Sequence, residues 1–414
     1  MNDFIYHNHE LTVDGLSVKD IVRQCQTPCF IYSHAGITRA WRSFDNATTH
    51  PHLICYAVKA NSNLAVLNTL AELGSGFDIV SQGELMRVLA AKGDPRKVVF
   101  SGVGKQSDEI AMALKVGINC FNVESEAELL LINQIANHLN VQAPIALRVN
   151  PDVDPISHPY ISTGQKESKF GIDAQEAINL YQQAATLKHV KIKGIACHIG
   201  SQLTTTAPFV EALQRLLGLI DQLENKGIKL EHVDVGGGLG VHYHHQKPPT
   251  PNEYMSALLK LNIPSHLKLI LEPGRAIVAN AGILATKVLL IKQSGNKHFC
   301  VVDCAMNDYL RPTLYDAWHN IIPVQQQPQA LTQIYDIVGP ICESGDFLGK
   351  SRELAVKAGD YLAVCQTGAY GFVMSSNYNS RPKAAEVMAK DNAFKIVRPR
   401  ETLEEMFAKE SLWT

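Results

Sequence analysis

The chain carries almost no net charge: 38 basic side chains face 40 acidic ones, a formal balance of −2 over 414 residues. No broad basic field is left for a nucleic-acid backbone, so nucleic acid is not an expected partner. No apolar run approaches the length of a bilayer span, so no membrane segment is expected either. The first residues, Met1-Asn2-Asp3-Phe4-Ile5-Tyr6-His7, lack the basic start and long apolar stretch of a signal peptide, and the expectation is a cytoplasmic protein. Internal repeats, low-complexity tracts and long linkers are missing too. The nine cysteines are odd in number, most lie inside apolar runs, and neither close pair (Cys25 and Cys29, Cys300 and Cys304) has zinc-knuckle spacing. Buried thiols in a reducing compartment fit this better than a disulfide framework. The cluster His242-Tyr243-His244-His245 lies in a polar, proline-rich stretch without nearby carboxylates or thiols, so no metal is expected.

What is present is a soluble globular composition, 46% hydrophobic and 19% charged, in a chain too long for one ordinary core. Two domains are expected. From about residue 50 to 275, short apolar runs alternate with amphipathic helical patterns, which is how parallel βα units read. Eight strands are expected at 53–58, 77–80, 97–100, 118–122, 145–149, 192–197, 232–235 and 267–271. Helical patterns such as 63–73, 82–91, 124–139 and 207–226 lie between them and end at or near breaks such as Gly74, Gly93 and Gly227. Eight such units predict a closed (β/α)8 TIM-like barrel over 26–280, with its chemistry at the C-terminal ends of the strands. Polar residues fall at those ends: Lys59 after the first strand, Asp78 and Ser81 at the second, Arg148 and Asn150 at the fifth. His198 follows the sixth, Gly236-Gly237-Gly238 the seventh and Glu272 the eighth. After residue 280, runs such as 282–291, 298–304, 334–338 and 361–365 alternate with turns, which predicts a smaller antiparallel β domain. Residues 1–25, lacking a βα partner, are assigned to that domain together with 281–414.

Lys59 closes a strand-like apolar run, where burial disfavours the ammonium and lowers its pKa. A lysine tuned in this way attacks carbonyls and forms a Schiff base; the plainer reading is a lysine reaching out to solvent along its stem. Glycines after a strand let backbone N–H groups face a phosphate. The run Gly236-Gly237-Gly238-Leu239-Gly240 departs from the dinucleotide fingerprint, with Val241 where the third glycine belongs, and a tight turn explains it equally well. In Glu272-Pro273-Gly274-Arg275 the carboxylate needs a cation. That cation is either Arg275 or a protonated ring nitrogen, which would leave Arg275 to grip a substrate carboxylate. His198 adds a flat group. A lysine, a phosphate cradle, a carboxylate and a flat cover are the parts a pyridoxal 5′-phosphate site needs.

The ordered motifs make the resemblance specific. They run Tyr56-Ala57-Val58-Lys59-Ala60-Asn61, Phe77-Asp78, His198-Ile199-Gly200-Ser201-Gln202, Asp234-Val235-Gly236-Gly237-Gly238 and Glu272-Pro273-Gly274-Arg275. They continue with Met306-Asn307-Asp308, Arg311-Pro312, Cys342-Glu343-Ser344-Gly345-Asp346, Gly368-Ala369-Tyr370-Gly371 and Asn377-Tyr378-Asn379-Ser380-Arg381-Pro382. Over nearly its whole length the chain resembles the fold-type III pyridoxal-phosphate decarboxylases, with their alanine racemase-like barrel, and among them the diaminopimelate decarboxylase family of bacterial lysine synthesis. The resemblance implies that Lys59 carries the cofactor, His198 stacks on its ring and Glu272 pairs with the pyridine nitrogen. It implies a cofactor site that also draws on Asp78, Ser201, Gly236, Gly237, Gly238, Gly274, Arg275 and Tyr370. Arg275, Arg311, Tyr315, Glu343 and Tyr370 would meet the substrate, and Cys342 and Glu343 would come from the neighbouring subunit of a homodimer with shared sites. Cys342 or Lys59 would return the proton after carbon dioxide leaves. The implied reaction is meso-2,6-diaminopimelate to L-lysine. The alternatives are a decarboxylase of the same group acting on ornithine, arginine or carboxynorspermidine, or a non-catalytic pyridoxal-phosphate binder.

Overall fold

The computed structural model describes residues 3–153 and 169–414; Met1, Asn2 and the stretch 154–168, inside the expected 26–280 span, lie outside the described residues. The chain divides into two compact units, one of Arg39–Val241 and Lys247–Ala276, the other of Met1–Thr38, His242–Gln246 and Ile277–Thr414.

In the first unit eight parallel strands close into a ring: His52–Ala57, Gly76–Ile79, Val98–Phe100, Cys120–Val123, Ala143–Asn150, Val190–Ala196, His232–Asp234 and Lys268–Leu271. Each pairs with the next, and the last pairs with the first through Leu269–His52, Ile270–Leu53 and Leu271–Ile54. Every expected strand is present, displaced by at most two residues at either end. Helices between them start where a short polar side chain takes an otherwise unpaired backbone N–H. Ser81 caps Gln82–Ala90, Ser125 caps Glu126–Leu139, and Thr250 forms a reciprocal box with Glu253 ahead of Pro251–Leu259. Successive side chains on a strand point to opposite faces. Cys55, Val99, Cys120, Ala146, Ala196 and Ile270 therefore turn inward together and make a small apolar cluster that fills the barrel.

The second unit is built on Gly282–Ser294, a long strand that pairs antiparallel with Lys297–Val302, Tyr361–Val364 and Cys29–Ser33. Two parallel pairings interrupt the antiparallel pattern: Lys297–Val302 with Gln333–Val338, and Cys29–Ser33 with Ala385–Lys390. Cys29–Ser33, inside the stretch expected to be barrel, thus belongs to this sheet, where all five of its residues are buried. Periodicity alone does not tell a buried strand which sheet it joins. The N-terminal strands Phe4–His7, Glu10–Val13 and Leu16–Ser17 form a meander with two two-residue turns, Asn8-His9 and Asp14-Gly15, all four residues at positive φ. That is the turn geometry whose twist matches paired antiparallel strands.

Candidate active site

Two residues beyond the apolar cluster, the same inward phase of the strands turns polar. Ser101 follows Val99, Asn122 follows Cys120, Arg148 follows Ala146, His198 follows Ala196 and Glu272 follows Ile270. Asp78, last but one in its strand, and Asp234, last in its own, are both fully buried. Asn122 Nδ2 ties the layer together, donating to Ser101 Oγ at 3.0 Å, Asp234 Oδ2 at 3.3 Å and Glu272 Oε1 at 3.3 Å.

Lys59, in a single turn of tight helix after the first strand, is ion-paired with Asp78. This corrects the expectation of a lysine tuned by apolar burial alone. Its side chain is 35% exposed and meets the buried Asp78 carboxylate of the neighbouring strand. Glu272 and Asp234 share a hydrogen bond. Burial, then the negative charges of Asp234 and Asp78, push the Glu272 carboxyl well above the usual range, and burial lifts Asp234 to about 6. His198 accepts a hydrogen bond at Nδ1 from the Gly237 N–H at 3.2 Å. Burial, then the positive charges of Arg148 and Lys59, hold its imidazole well below its ordinary value, so the ring is neutral. Arg148 is itself clamped by Glu124 at 2.7 Å.

The glycine run owes its composition to close approach. A Cβ on Gly237 would lie 2.2 Å from the Glu272 carbonyl oxygen, and one on Gly238, at φ +112°, 2.4 Å from the Gly200 carbonyl oxygen. The Gly236 N–H donates to Asp234 Oδ1 at 2.8 Å, so Gly236 and Gly237 both direct their N–H groups to neighbouring side chains. Ser201 accepts from Arg275 Nη2 at 3.0 Å, and Gly274 packs on Ala57 and Ala60 next to Lys59. Lys59, Asp78, His198, Ser201, Gly236, Gly237, Gly238, Glu272, Gly274 and Arg275 are thus gathered at one end of the barrel.

The remaining expected site residues belong to the second unit. Arg311, buried, opens the short helix Arg311–Tyr315, whose last residue is half-buried. Cys342 and Glu343 are exposed; the Cys342 N–H donates to Asn379 Oδ1 at 3.0 Å, and the Tyr378 hydroxyl donates to Glu343 Oε1 at 2.5 Å. Tyr370 is held at φ +54°, uncommon for an aromatic residue and frequent at functional sites. The histidine cluster makes an aromatic stack, His244 lying on Trp318 at 3.9 Å between ring centres. Among the described residues no three His, Cys, Asp or Glu side chains are arranged to hold a metal ion, and no helix is long and apolar enough to cross a membrane.

These side chains suit the cofactor implied by the motifs. Three buried carboxylates, Asp78, Asp234 and Glu272, lie in the layer where Asp78 pairs with the Lys59 ammonium. Uncompensated buried charge is costly, and a protonated ring nitrogen beside Glu272 would meet a counter-ion there. Neutral His198 can lie flat on such a ring without repelling a cation. Sequence reasoning assigned no part to Ser101, Asn122 or Asp234; counting two residues on from each inward apolar position would have found Ser101 and Asn122.

Residues 34–279 match the family model for the pyridoxal-binding domain of pyridoxal-dependent decarboxylases. The chain is 56% identical to the diaminopimelate decarboxylase of Vibrio cholerae over 405 residues, 97% of each protein. It is 54% identical to that of Haemophilus influenzae over 413 residues, 99% of this chain and 100% of the relative. Among solved structures, the diaminopimelate decarboxylase of Helicobacter pylori complexed with L-lysine superimposes with a TM-score of 0.92 at 42% identity, covering 95% of this chain and 98% of that one.

Proposed function

The chain belongs to the pyridoxal-dependent decarboxylases, in the diaminopimelate decarboxylase family, and from this we infer that it converts meso-2,6-diaminopimelate to L-lysine and carbon dioxide, the last step of bacterial lysine synthesis. Its cofactor is pyridoxal 5′-phosphate. The observation that carries the reading is the polar layer in which Lys59 with Asp78, His198 and Glu272 meet at one end of the barrel.

Each side chain has a task in that reaction. Lys59 would hold the cofactor through its amine, with Asp78 beside it as the counter-ion. When bound, pyridoxal phosphate supplies an electron sink for the pair left as carbon dioxide departs. Glu272 would stand as counter-ion to a protonated ring nitrogen. His198 covers the ring. Ser201, Gly238, Gly274 and Tyr370 take the phosphate, with Gly236 and Gly237 allowing the close approach that shapes the turn. Arg275, Arg311 and Tyr315 take substrate carboxylate. Diaminopimelate carries a second amino-acid head, which needs an anion for its amine and a cation for its carboxylate. Glu343 together with the arginines suits that zwitterion better than a diamine. Cys342 and Glu343 reach the substrate from the second subunit of a homodimer. Nine free cysteines, eight of them buried, suit residence in the cytoplasm.

The test is release of carbon dioxide from meso-diaminopimelate, ornithine and arginine in parallel, with borohydride fixation of the cofactor in wild type and Lys59→Ala. Diaminopimelate should be the preferred substrate, and fixation should be lost in the variant. Faster turnover of ornithine or arginine, or fixation at another lysine, overturns the assignment.

A further inference from the structure

Residues 242–246 interrupt the barrel in sequence but belong to the second unit, and Tyr243 is buried. Its ring lies beneath the Arg311 guanidinium, 4.7 Å from the ring centre, and the two side chains also share a hydrogen bond. On its other sides Arg311 meets His319 and Tyr309, both fully buried. Nη1 is 3.0 Å from His319 Nε2 and donates to the Tyr309 hydroxyl at 3.4 Å. The Tyr309 hydroxyl is itself 2.9 Å from His319 Nε2. His319 Nδ1 lies 2.9 Å from the Cys365 carbonyl oxygen, which can only accept. Nδ1 therefore carries the hydrogen, and Nε2 offers its lone pair to the donors around it. The Tyr243 and Tyr309 rings stand edge-on to the imidazole, at 73° and 81°, which fixes its plane.

Among the described residues, the bonded neighbours of the buried Arg311 cation are two phenols and an imidazole, none of them a carboxylate. A carboxylate in place of His319 would hold the guanidinium equally firmly but cancel its charge. Neutral, electron-rich groups hold it in place and leave the charge to an outside anion. A guanidinium fork grips a carboxylate through two parallel N–H bonds, and that fit depends on the angle at which the fork is held. We propose that Tyr243, Tyr309 and His319 are positioning residues that fix the Arg311 guanidinium as an uncancelled carboxylate anchor for the amino-acid substrate. The proposal rests on the reading of Arg311 as a substrate ligand given above. It gives the Tyr243 segment a part in substrate recognition that its histidine-rich sequence does not suggest.

Four holoenzyme variants test it: Arg311→Ala, His319→Leu, His319→Gln and Tyr309→Phe, the last an isosteric change that keeps the core filled. His319→Leu is expected to raise KM for meso-diaminopimelate about tenfold, equivalent to about 1.4 kcal/mol, with a smaller effect on kcat. Tyr309→Phe should raise it by a few-fold. His319→Gln, which keeps a neutral acceptor, should recover most of the loss. The bound-cofactor absorption should match wild type throughout. In the double variant Arg311→Ala with His319→Leu, KM should be no worse than in Arg311→Ala alone, because His319 acts only through Arg311. If Arg311→Ala leaves KM unchanged, Arg311 is not the anchor and the reading beneath the proposal fails. If Arg311→Ala raises KM while His319→Leu and Tyr309→Phe do not, or if the two losses add in the double variant, the positioning role fails by itself.

Discussion

Replacing Glu272 by Gln isolates the electrostatic part of this site. The change keeps the side chain's shape and one acceptor oxygen but removes both the ionisable proton and the charge. Glu272 is 6% exposed, hydrogen-bonded to Asp234, and accepts from Asn122 at 3.3 Å and Ser101 at 3.4 Å. Those contacts leave little freedom to relax. A unit charge about 4 Å from a ring nitrogen is worth about 4 kcal/mol at an effective dielectric of about 20. Part of this survives in the variant. Asp234 remains an anion one side chain further away, and the new amide can donate to it as the carboxyl did. If Asp234 recovers about half, about 2 kcal/mol of transition-state stabilisation is lost, roughly a thirtyfold fall in kcat. Cofactor content and KM should change little, because the anchoring amine, the phosphate contacts and the substrate carboxylate contacts lie elsewhere. The assay is steady-state carbon dioxide release from meso-diaminopimelate, with the visible absorption of bound cofactor measured on the same sample. A kcat within about threefold of wild type, at full cofactor content, would refute the claim that Glu272 governs charge on the ring.

His232 gives a pH test away from the active site. Burial holds its imidazole down to about 4, so the unfolded chain takes the proton first; stability is full above pH ~6.5 and falls by about 2–3 kcal/mol as pH drops towards 4, a loss that urea midpoints at pH 7 and pH 4.5 should show shrinking in His232→Gln. Gly237→Ala should lower Tm and the cofactor retained on gel filtration, at about 1–3 kcal/mol for the forced shift, whereas Gly218→Ala, in a helix with nothing within 4 Å of the new Cβ, should be neutral or stabilising; equal behaviour of the two would discount the close-approach argument. For shared sites, Lys59→Ala and Glu343→Ala proteins mixed under subunit exchange should regain up to about a quarter of wild-type activity, since half of randomly formed dimers are mixed and each has one intact site. No recovery despite proven exchange would mean that each chain completes its own site.

Much of the fold was legible because its elements are local. Each barrel strand is a short apolar run closed by a glycine or polar break, and the parallel ring follows from eight of them alternating with helices. The strand-end chemistry was legible for the same reason: Lys59, His198 and Glu272 each stand immediately beyond an apolar run. What was hidden is whatever depends on closure. Asn122 reads as an ordinary polar residue within its strand, and only the closed ring brings it to Asp234 and Glu272. Cys29–Ser33 is as apolar as a barrel strand, and its sheet is decided by partners near residues 283 and 387. Tyr243 could not be connected with Arg311 and His319 by any pattern within its own segment.

Electrostatics was the least legible layer, and Lys59 shows why. From its own run the lysine looks desolvated, which argues for a weakened ammonium. Asp78 belongs to the next strand, and the pairing of Ala57 with Asp78 brings its carboxylate to the amine. The sign of the neighbouring charge therefore follows from strand register, not from local hydrophobicity, and a register slip of one residue would turn Asp78 to the other face. The same holds for Glu272, whose pKa is raised by burial and then by Asp234 and Asp78, on two other strands. In a barrel of this kind hydrophobic pattern marks where the chemistry will stand, while ring closure and register set the protonation states with which it operates.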